Sequence, residues 1–400
     1  MRLTLDEAGR RLHREFRAFA DAEVAPLAAR HDREERLGRA LVDKLAAAGH
    51  LAPLLPPEHG GRGLDPLAYG LLHEEVGRAC SATRSLLTVH DMVADSVLRR
   101  GGAELRARWL PRLATGRALG AFALSEPDAG SDAAAVTTRA ERHGDEYVLT
   151  GVKRWISFGQ IADVFLVFAR LPEGPTAFLV ERSAPGLDVV PLHGMLGTRG
   201  AMLAELRLDA CRIPGGHLVG GAGRAHPFLT TSALTLGRYS VACGSVGIVQ
   251  ACLDAAAAHA TARELIQHQL VQRLLARMTV NAEAGRLLAL RAGELIGAGS
   301  PHAPMAATQA KYFAAGAAGD AARDAVQILG AQGCGPDHPV GRYYRDAKVM
   351  EIIEGGTEVS ESAIGRFGRG GGLLDATGPA RPGGTTAEKT RAPATGEEQS

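Results

Sequence analysis

Apolar positions recur at helical spacing through the first third of the chain, give way to short alternating runs, and return to helical spacing near residue 228. Leu12, Phe16, Phe19 and Val24 form one stripe, followed by Leu41, Leu45 and Leu51 and then by Leu71, Leu72 and Val76. Pro56-Pro57-Glu-His-Gly-Gly-Arg-Gly63 interrupts them as a turn, and Leu86–Leu98 and Leu105–Leu113 predict two more helices. From Gly120 the texture changes to short β-branched or aromatic runs: Tyr147–Thr150, Val164–Phe168, Ala177–Val180, Leu187–Pro191 and Ala204–Leu208. Gly, Pro and Asp punctuate these runs, which predicts a β-barrel or sandwich. Long Ala- and Leu-rich segments then run to about Gly365, with Leu270, Leu274, Leu275 and Met278 expected along one face of a bundle helix. The expected plan is α+β: a helical unit over 1–119, a β unit over 120–225, a helical bundle over 226–367 and a disordered tail over 368–400.

Composition narrows the functional classes. Forty-five basic against 44 acidic side chains leave a formal charge of +1, which gives no electrostatic case for nucleic acid or an anionic membrane. Without an uninterrupted membrane-length apolar run or the apolar core of a signal peptide, a cytoplasmic protein is expected. The five cysteines are scattered without a CxxC pair, as expected of reduced, mostly buried thiols, and no metal-ligand spacing occurs. No GxGxxG is present, against a Rossmann dinucleotide site.

Chemistry concentrates in two neighbouring stretches. Phe122-Ala-Leu-Ser-Glu-Pro-Asp-Ala-Gly-Ser-Asp132 ends a hydrophobic strand in a turn able to aim N–H groups and hydroxyls at an anion. In Gly151-Val-Lys-Arg-Trp-Ile-Ser157, Trp155 and Ser157 are two residues apart, so on a strand they face one side. A phosphate cradle followed by an aromatic wall suggests a flavin nucleotide. Further on, Glu354 follows Ile352-Ile353 and precedes Gly355-Gly356, which suits a carboxylate turned into a pocket at a break. His90 and Asp91 are open to two readings, polar lining of an acyl pocket or surface and helix-cap residues.

Leu124–Asp132, Lys153–Ser157 and Tyr344-Arg-Asp-Ala-Lys348, in this order, resemble the acyl-CoA dehydrogenase superfamily over roughly residues 5–368. The resemblance implies an N-terminal helical domain, a central β-barrel domain and a C-terminal four-helix bundle, with FAD between barrel and bundle. It places Leu124 and Ser125 at the flavin ring, Gly130 and Ser131 at ribityl or pyrophosphate oxygens, and Trp155 and Ile156 against the isoalloxazine. Ser157 falls near the reactive nitrogen, and Ser131 is also assigned to substrate. Glu354 matches the catalytic base, with Gly356, Thr357 and Glu358 as cofactor contacts and Arg238 beside the phosphopantetheine arm. Arg263, His268 and Gln269, and Gln327, Gly330 and Ala331, resemble segments that touch the FAD of a neighbouring subunit, which implies a homodimer or homotetramer. In the family the enolate oxygen is met by a backbone N–H and a ribityl hydroxyl.

The chemistry so implied is removal of an α-proton by Glu354 while a β-hydrogen leaves as hydride to FAD, with an electron-transfer flavoprotein or a similar acceptor reoxidising the flavin. Several positions depart from the family pattern. The connection after Arg263 is roughly five residues short, Gly356 replaces a threonine, Cys334 a tyrosine and Thr235 an acidic residue. The segments Trp155–Asp163 and Gly194–Arg199 resemble acyl-carrier-protein dehydrogenases of methoxymalonyl (polyketide extender-unit) biosynthesis. An acyl-carrier protein or CoA therefore carries the expected short, hydroxylated acyl group. Three readings stand beside this one: a catabolic short-chain acyl-CoA dehydrogenase, a flavin monooxygenase on the same fold, and a scaffold that has lost FAD.

Overall fold

A computed structural model describes residues 4–130, 135–225 and 232–368. Ser131, assigned above to cofactor and substrate, and the tail beyond residue 368 lie outside the described residues.

The N-terminal stripe forms α1 (Glu7–Phe19), capped by the Asp6 side chain, and runs through one π turn into α2 (Ala25–Glu34). Next come α3 (Arg39–Ala47), α4 (Pro66–Ala79), α5 (Ser81–Arg100) and α6 (Ala103–Ala114). Pro66 follows the Asp65 cap, where a missing N–H costs nothing. Helix α5 is buried along nearly its whole length, so it is a core helix with no solvated face.

Among the described residues the middle of the chain makes eight strands: β1 (Gly120–Ala123), β2 (Arg139–His143), β3 (Glu146–Ile156), β4 (Val164–Leu171), β5 (Gly174–Glu181), β6 (Leu187–Pro191), β7 (Ala204–Pro214) and β8 (Leu218–Val219). Their order is β6-β7-β3-β2-β4-β5-β8, with β1 parallel to β4. The expected barrel does not close: the sheet is open. Among the described residues β2 and β4 pair at Arg139 and Arg170 alone, and the terminal strands β6 and the two-residue β8 do not pair with each other. One sheet face shares a core with the N-terminal helices through Val164, Leu166 and Phe168, while the other encloses Phe165, Val167 and Phe178.

The bundle comprises α7 (Leu234–Ala262), α8 (Gln269–Gly297), α9 (Ala303–Leu329), α10 (Val340–Ile352) and α11 (Thr357–Gly368). Leu275 and Met278 are buried as expected, but Leu270, at the exposed start of α8, is not. Helix α7 is, against the sequence expectation, long and apolar enough to cross a membrane by length and composition. Two-thirds of its most apolar window is covered, as befits the central helix of a bundle, against which α4, α5, α8 and α9 all pack. Small residues on α7 permit this approach: a Cβ on Gly247 would collide with the Glu74 carbonyl of α4, and one on Gly244 with Arg84 of α5.

Candidate active site

The turn after β1 is held from beneath by Glu126, which the sequence reading left without a role. Its carboxylate accepts from the Thr137 N–H (2.7 Å) and hydroxyl (2.6 Å), the Thr138 N–H (3.0 Å) and hydroxyl (2.6 Å), and Lys153 Nζ (2.7 Å). Burial would raise its pKa, but the hydrogen bonds from Lys153, Thr137 and Thr138 outweigh burial and hold it down at about 2. Lys153 also donates to the Leu124 carbonyl, and the Arg154 N–H to that of Ser125. Leu124 and Ser125 are thereby fixed beside Trp155.

Trp155 and Ser157 are not two same-facing residues of one regular strand. The β3–β7 register shifts between Lys153 and Ile156, Trp155 takes a left-handed φ of 60°, and β3 ends at Ile156. The bulge leaves the Trp155 ring 44% exposed with Arg154 over it, and turns Ile156 into the sheet core. An exposed indole beside fixed backbone carbonyls is apolar surface for a flat ring to cover. Gly130 adds open space at the turn's end, since a Cβ there would meet nothing. These features fit the isoalloxazine of FAD, with Ile156 able to contribute only its backbone.

Glu354 sits at the break between α10 and α11, in the left-handed conformation at φ 57°, followed by Gly355 at φ 101°. Backbone of this kind in a non-glycine residue stores about 1–2 kcal/mol. Three cations hold it there or face it. Arg238 Nε donates to the Glu354 carbonyl (3.0 Å), and Lys311 Nζ donates to the carbonyls of Glu351 (3.0 Å) and Gly355 (2.6 Å). Arg84 acts through space. The carboxylate lies over Gly237 of α7, and its Oε2 is buried without a hydrogen-bond partner. Burial pushes the Glu354 carboxyl up, against the pull of Arg238, Arg84 and Lys311. Burial likewise brings the Lys311 ammonium down to about 8.

Gly356 and Thr357 stand at the entry to α11, with Glu358 exposed beyond them. Arg263, His268, Gln269, Gln327, Gly330 and Ala331 are all exposed and lie far from this group. Helices α7, α8 and α9 run up, down and up, so the ends of α7 and α9 share one pole of the bundle and Gly237 lies near the other. The 29 residues of α7 separate the poles by about 43 Å. Gln327 belongs to the last turn of α9, not to a loop. The link from α7 to α8 is a tight turn, with Glu264 left-handed and one 3-10 turn over Leu265–Gln267.

His90 and Asp91 are neither surface nor cap residues but buried within α5. His90 bridges the Leu113 carbonyl (3.1 Å) and the Gly120 N–H (3.2 Å), and Asp91 accepts from the Ala52 N–H (2.9 Å). Sequence reasoning also missed Arg84, Lys311, His73 and Ser240, all buried. Lys311 left one trace, as the sole lysine in the small-residue run Ala303–Leu329. His13, Glu74 and Glu75 lie close enough together for a metal, but Arg286 holds Glu74 and Arg78 holds Glu75.

A carboxylate turned inward at a helix break of the bundle and an exposed indole at a bulge of the sheet are features of a flavoenzyme of the dehydrogenase type. The acyl-CoA dehydrogenase N-terminal, middle and C-terminal domain families match residues 6–117, 121–211 and 229–368. The short-chain specific acyl-CoA dehydrogenase of Mus musculus mitochondria is 38% identical over 371 residues, covering 90% of both chains. A glutaryl-coenzyme A dehydrogenase solved with glutaryl-CoA superposes with a TM-score of 0.89 at 32% identity, over 92% of this chain and 97% of that one. FkbI, for biosynthesis of the methoxymalonyl extender unit of the FK520 polyketide, gives 0.82 at 36% identity, over 88% and 99%. The chain belongs to the acyl-CoA dehydrogenase family and is an FAD-dependent oxidoreductase.

Proposed function

We propose that this chain desaturates a short acyl thioester, with Glu354 removing the α-proton. The observation that carries this reading is the Glu354 carboxylate itself: buried at a fixed break, raised in pKa, and with Oε2 free to accept a proton. When bound, FAD supplies the acceptor for the β-hydride. Leu124, Ser125, Trp155 and Ser157 hold its ring, Gly130 and Ser131 its ribityl–phosphate chain, and Gly356, Thr357 and Glu358 add contacts from the bundle. The proton stays on Glu354 while Arg238 and Lys311 hold the backbone around it, so the base does not swing away. Arg238 also borders the path of the phosphopantetheine arm.

An acyl-carrier protein is the carrier in the reading we place first, on the resemblance of Trp155–Asp163 and Gly194–Arg199 and because FkbI serves biosynthesis of a methoxymalonyl extender unit. The mouse relative supports CoA as well, and both carriers present the same arm. Arg263, His268, Gln269, Gln327, Gly330 and Ala331 complete the FAD site of a second copy in a homodimer or homotetramer, and an electron-transfer flavoprotein or similar acceptor takes the electrons. The free cysteines accord with a reducing cytoplasm. Anaerobic titration of the flavin absorbance with short acyl thioesters on CoA and on acyl-carrier protein tests the reading. Bleaching by either is expected, and the preferred carrier names the pathway. A stable oxygen adduct of the reduced flavin, with Glu354→Gln still active, would instead establish a monooxygenase.

A further inference from the structure

Glu354 and the aromatic wall belong to different parts of the fold: one follows the end of α10, the other closes β3. The segment 192–203, between β6 and β7, is hydrogen-bonded to both parts. On the α10 side, the Thr198 N–H donates to Asp346 Oδ1 (2.6 Å) and Arg345 Nη1 donates to the Leu196 carbonyl (3.1 Å). Gly197 lets the two backbones touch, since a Cβ there would stand 2.3 Å from the Arg345 carbonyl oxygen and 2.8 Å from the Asp346 nitrogen. On the β3 side, the Ala201 carbonyl accepts from the Phe158 N–H (2.7 Å), and the Met202 carbonyl from that of Gln160 (3.3 Å). Gln160 Nε2 adds a bond to the Leu203 carbonyl (2.8 Å). Phe158 is buried in a left-handed conformation directly after Ser157, so it cannot shift without carrying Ser157 along.

This strap is stiff between its two ends. It makes one 3-10 turn, Arg199–Ala201, flanked by Thr198 and Met202 at left-handed φ of 48° and 47°. Non-glycine residues keep that conformation only where their surroundings over-determine it. The end of α2 supplies those surroundings. Glu35 accepts from the Gly194 N–H (2.9 Å) and from Arg199, and Asp32 takes the Arg345 guanidinium in a fork of two bonds, 3.0 and 2.5 Å. Asp346 is 2% exposed, and burial raises its pKa against the pull of Arg342 and the Thr198 N–H. Six residues of helix, about 9 Å, then separate Asp346 from the end of α10 at Ile352.

We propose that Asp346 is a positioning residue that, through Thr198 and the strap, sets the distance from Glu354 to the flavin wall and so governs hydride transfer separately from proton removal. This rests on the thioester dehydrogenase reading. Proton removal depends on Glu354 and on Arg238 and Lys311, which hold it from the bundle. Hydride transfer depends also on where the end of β3 stands relative to the bundle, and a misplacement of about 1 Å costs about 100-fold in rate.

The test measures the two steps apart on the purified holoenzyme, with a short acyl pantetheine thioester and its β-thia analogue, in which sulfur replaces the β-carbon and no hydride can leave. Anaerobic stopped flow with the thioester gives the rate of flavin bleaching. Loss of α-deuterium from the analogue, followed by mass spectrometry, gives proton removal alone: the deuteron passes to Glu354, a solvent proton returns to the same carbon, and nothing is oxidised. Asp346→Ala is expected to slow bleaching by about 100-fold and to keep α-deuterium loss, KM and flavin content within about threefold of wild type. Asp346→Asn, whose amide oxygen still accepts from Thr198, should recover most of the bleaching rate. Gly197→Ala, which wedges the strap off α10, should reproduce the split, and Asp32→Asn, which weakens the fork, should show a smaller one. Equal losses in both rates, or wild-type bleaching by flavin-loaded Asp346→Ala, overturn the proposal. If the wild-type enzyme neither bleaches nor exchanges, the dehydrogenase reading falls instead. Amide hydrogen exchange on the flavin-loaded and flavin-free chains then still decides whether the strap joins the two parts. Asp346→Ala should release the Thr198 and Phe158 amides together, and release of Thr198 alone or of neither overturns the proposal. If Asp346→Ala does not fold, Gly197→Ala and Asp32→Asn carry the decision, and wild-type bleaching rates in both overturn it.

Discussion

Gly237→Ala separates the proposed base from the fold that holds it. A Cβ at Gly237 would stand 2.4 Å from Glu354 Oε2 and 2.7 Å from its carboxyl carbon. An ordinary contact is near ~3.4 Å, so the carboxylate must withdraw by about 1 Å, and a displacement of that size at a reacting group costs about 100-fold in rate. The atoms that must move are the end of a flexible side chain, so the fold has little to resist. Alanine is also the better helix former, by up to about 1 kcal/mol, within α7. The variant should therefore melt at or above the wild-type temperature, retain its flavin, and bleach about 100-fold more slowly in anaerobic stopped flow with saturating thioester. Gly316→Ala on α9, where a Cβ meets nothing, serves as the silent control. A Gly237→Ala enzyme within about threefold of wild type would refute the placement of the reacting carbon at Glu354.

Other outcomes follow from the same site. Glu354→Gln keeps the shape but cannot take a proton, so the bleaching rate should fall by about 10³-fold or more with flavin still bound. Because the Glu354 pKa is raised and the base acts when ionised, activity should be lost as pH falls through a limb lying above that of an ordinary glutamate, and this limb should vanish in Glu354→Gln. Glu126 has a depressed folded-state pKa, about 2, so its stabilisation is complete above the ordinary glutamate range and is lost as pH falls toward 2. Glu126→Gln should lower stability by on the order of 3 kcal/mol at neutral pH and weaken FAD retention, measured by denaturant melts and by flavin release on dilution. Finally, Arg263→Ala should lower flavin occupancy without changing the melt of the flavin-free chain, and wild-type occupancy should track the oligomer fraction in sedimentation.

The parts of the fold legible in the sequence are those where burial follows a regular period. The stripe through Phe16 and Val24 and the runs Val164–Phe168 and Ala177–Val180 declare helix and strand because one face, or both, must leave water. Strand β2 was invisible: Arg-Ala-Glu-Arg-His has one buried residue and pairs only because β3 offers a long partner edge. Closure was overread, since nothing in the period of a strand tells whether the last one is long enough to complete a barrel. Glu354 was legible because Ile-Ile before it and Gly-Gly after it mark a break, whereas the bulge at Trp155 carries no compositional mark. Arg84 and Asp91 defeat hydropathy altogether, because a charged side chain in an apolar helix reads as its solvated face. The segments around Arg263 and Gln327 are exposed and lie away from Glu354, so the fold of a single chain gives the role proposed for them no geometry.

Helix α7 also constrains how this enzyme can be changed. Beneath Glu354 and Arg84 it presents Gly237, Ser240 and Gly244, so that side of the site is made of helix backbone and one hydroxyl. Only the Ser240 hydroxyl there can be trimmed to admit a bulkier acyl group, and a carbon added at Gly237 or Gly244 displaces Glu354 or Arg84. Substitution of these two glycines can narrow the range of substrates but cannot widen it. Redesign toward longer chains has to begin on α5, where Arg84 and Thr88 supply atoms that can be removed.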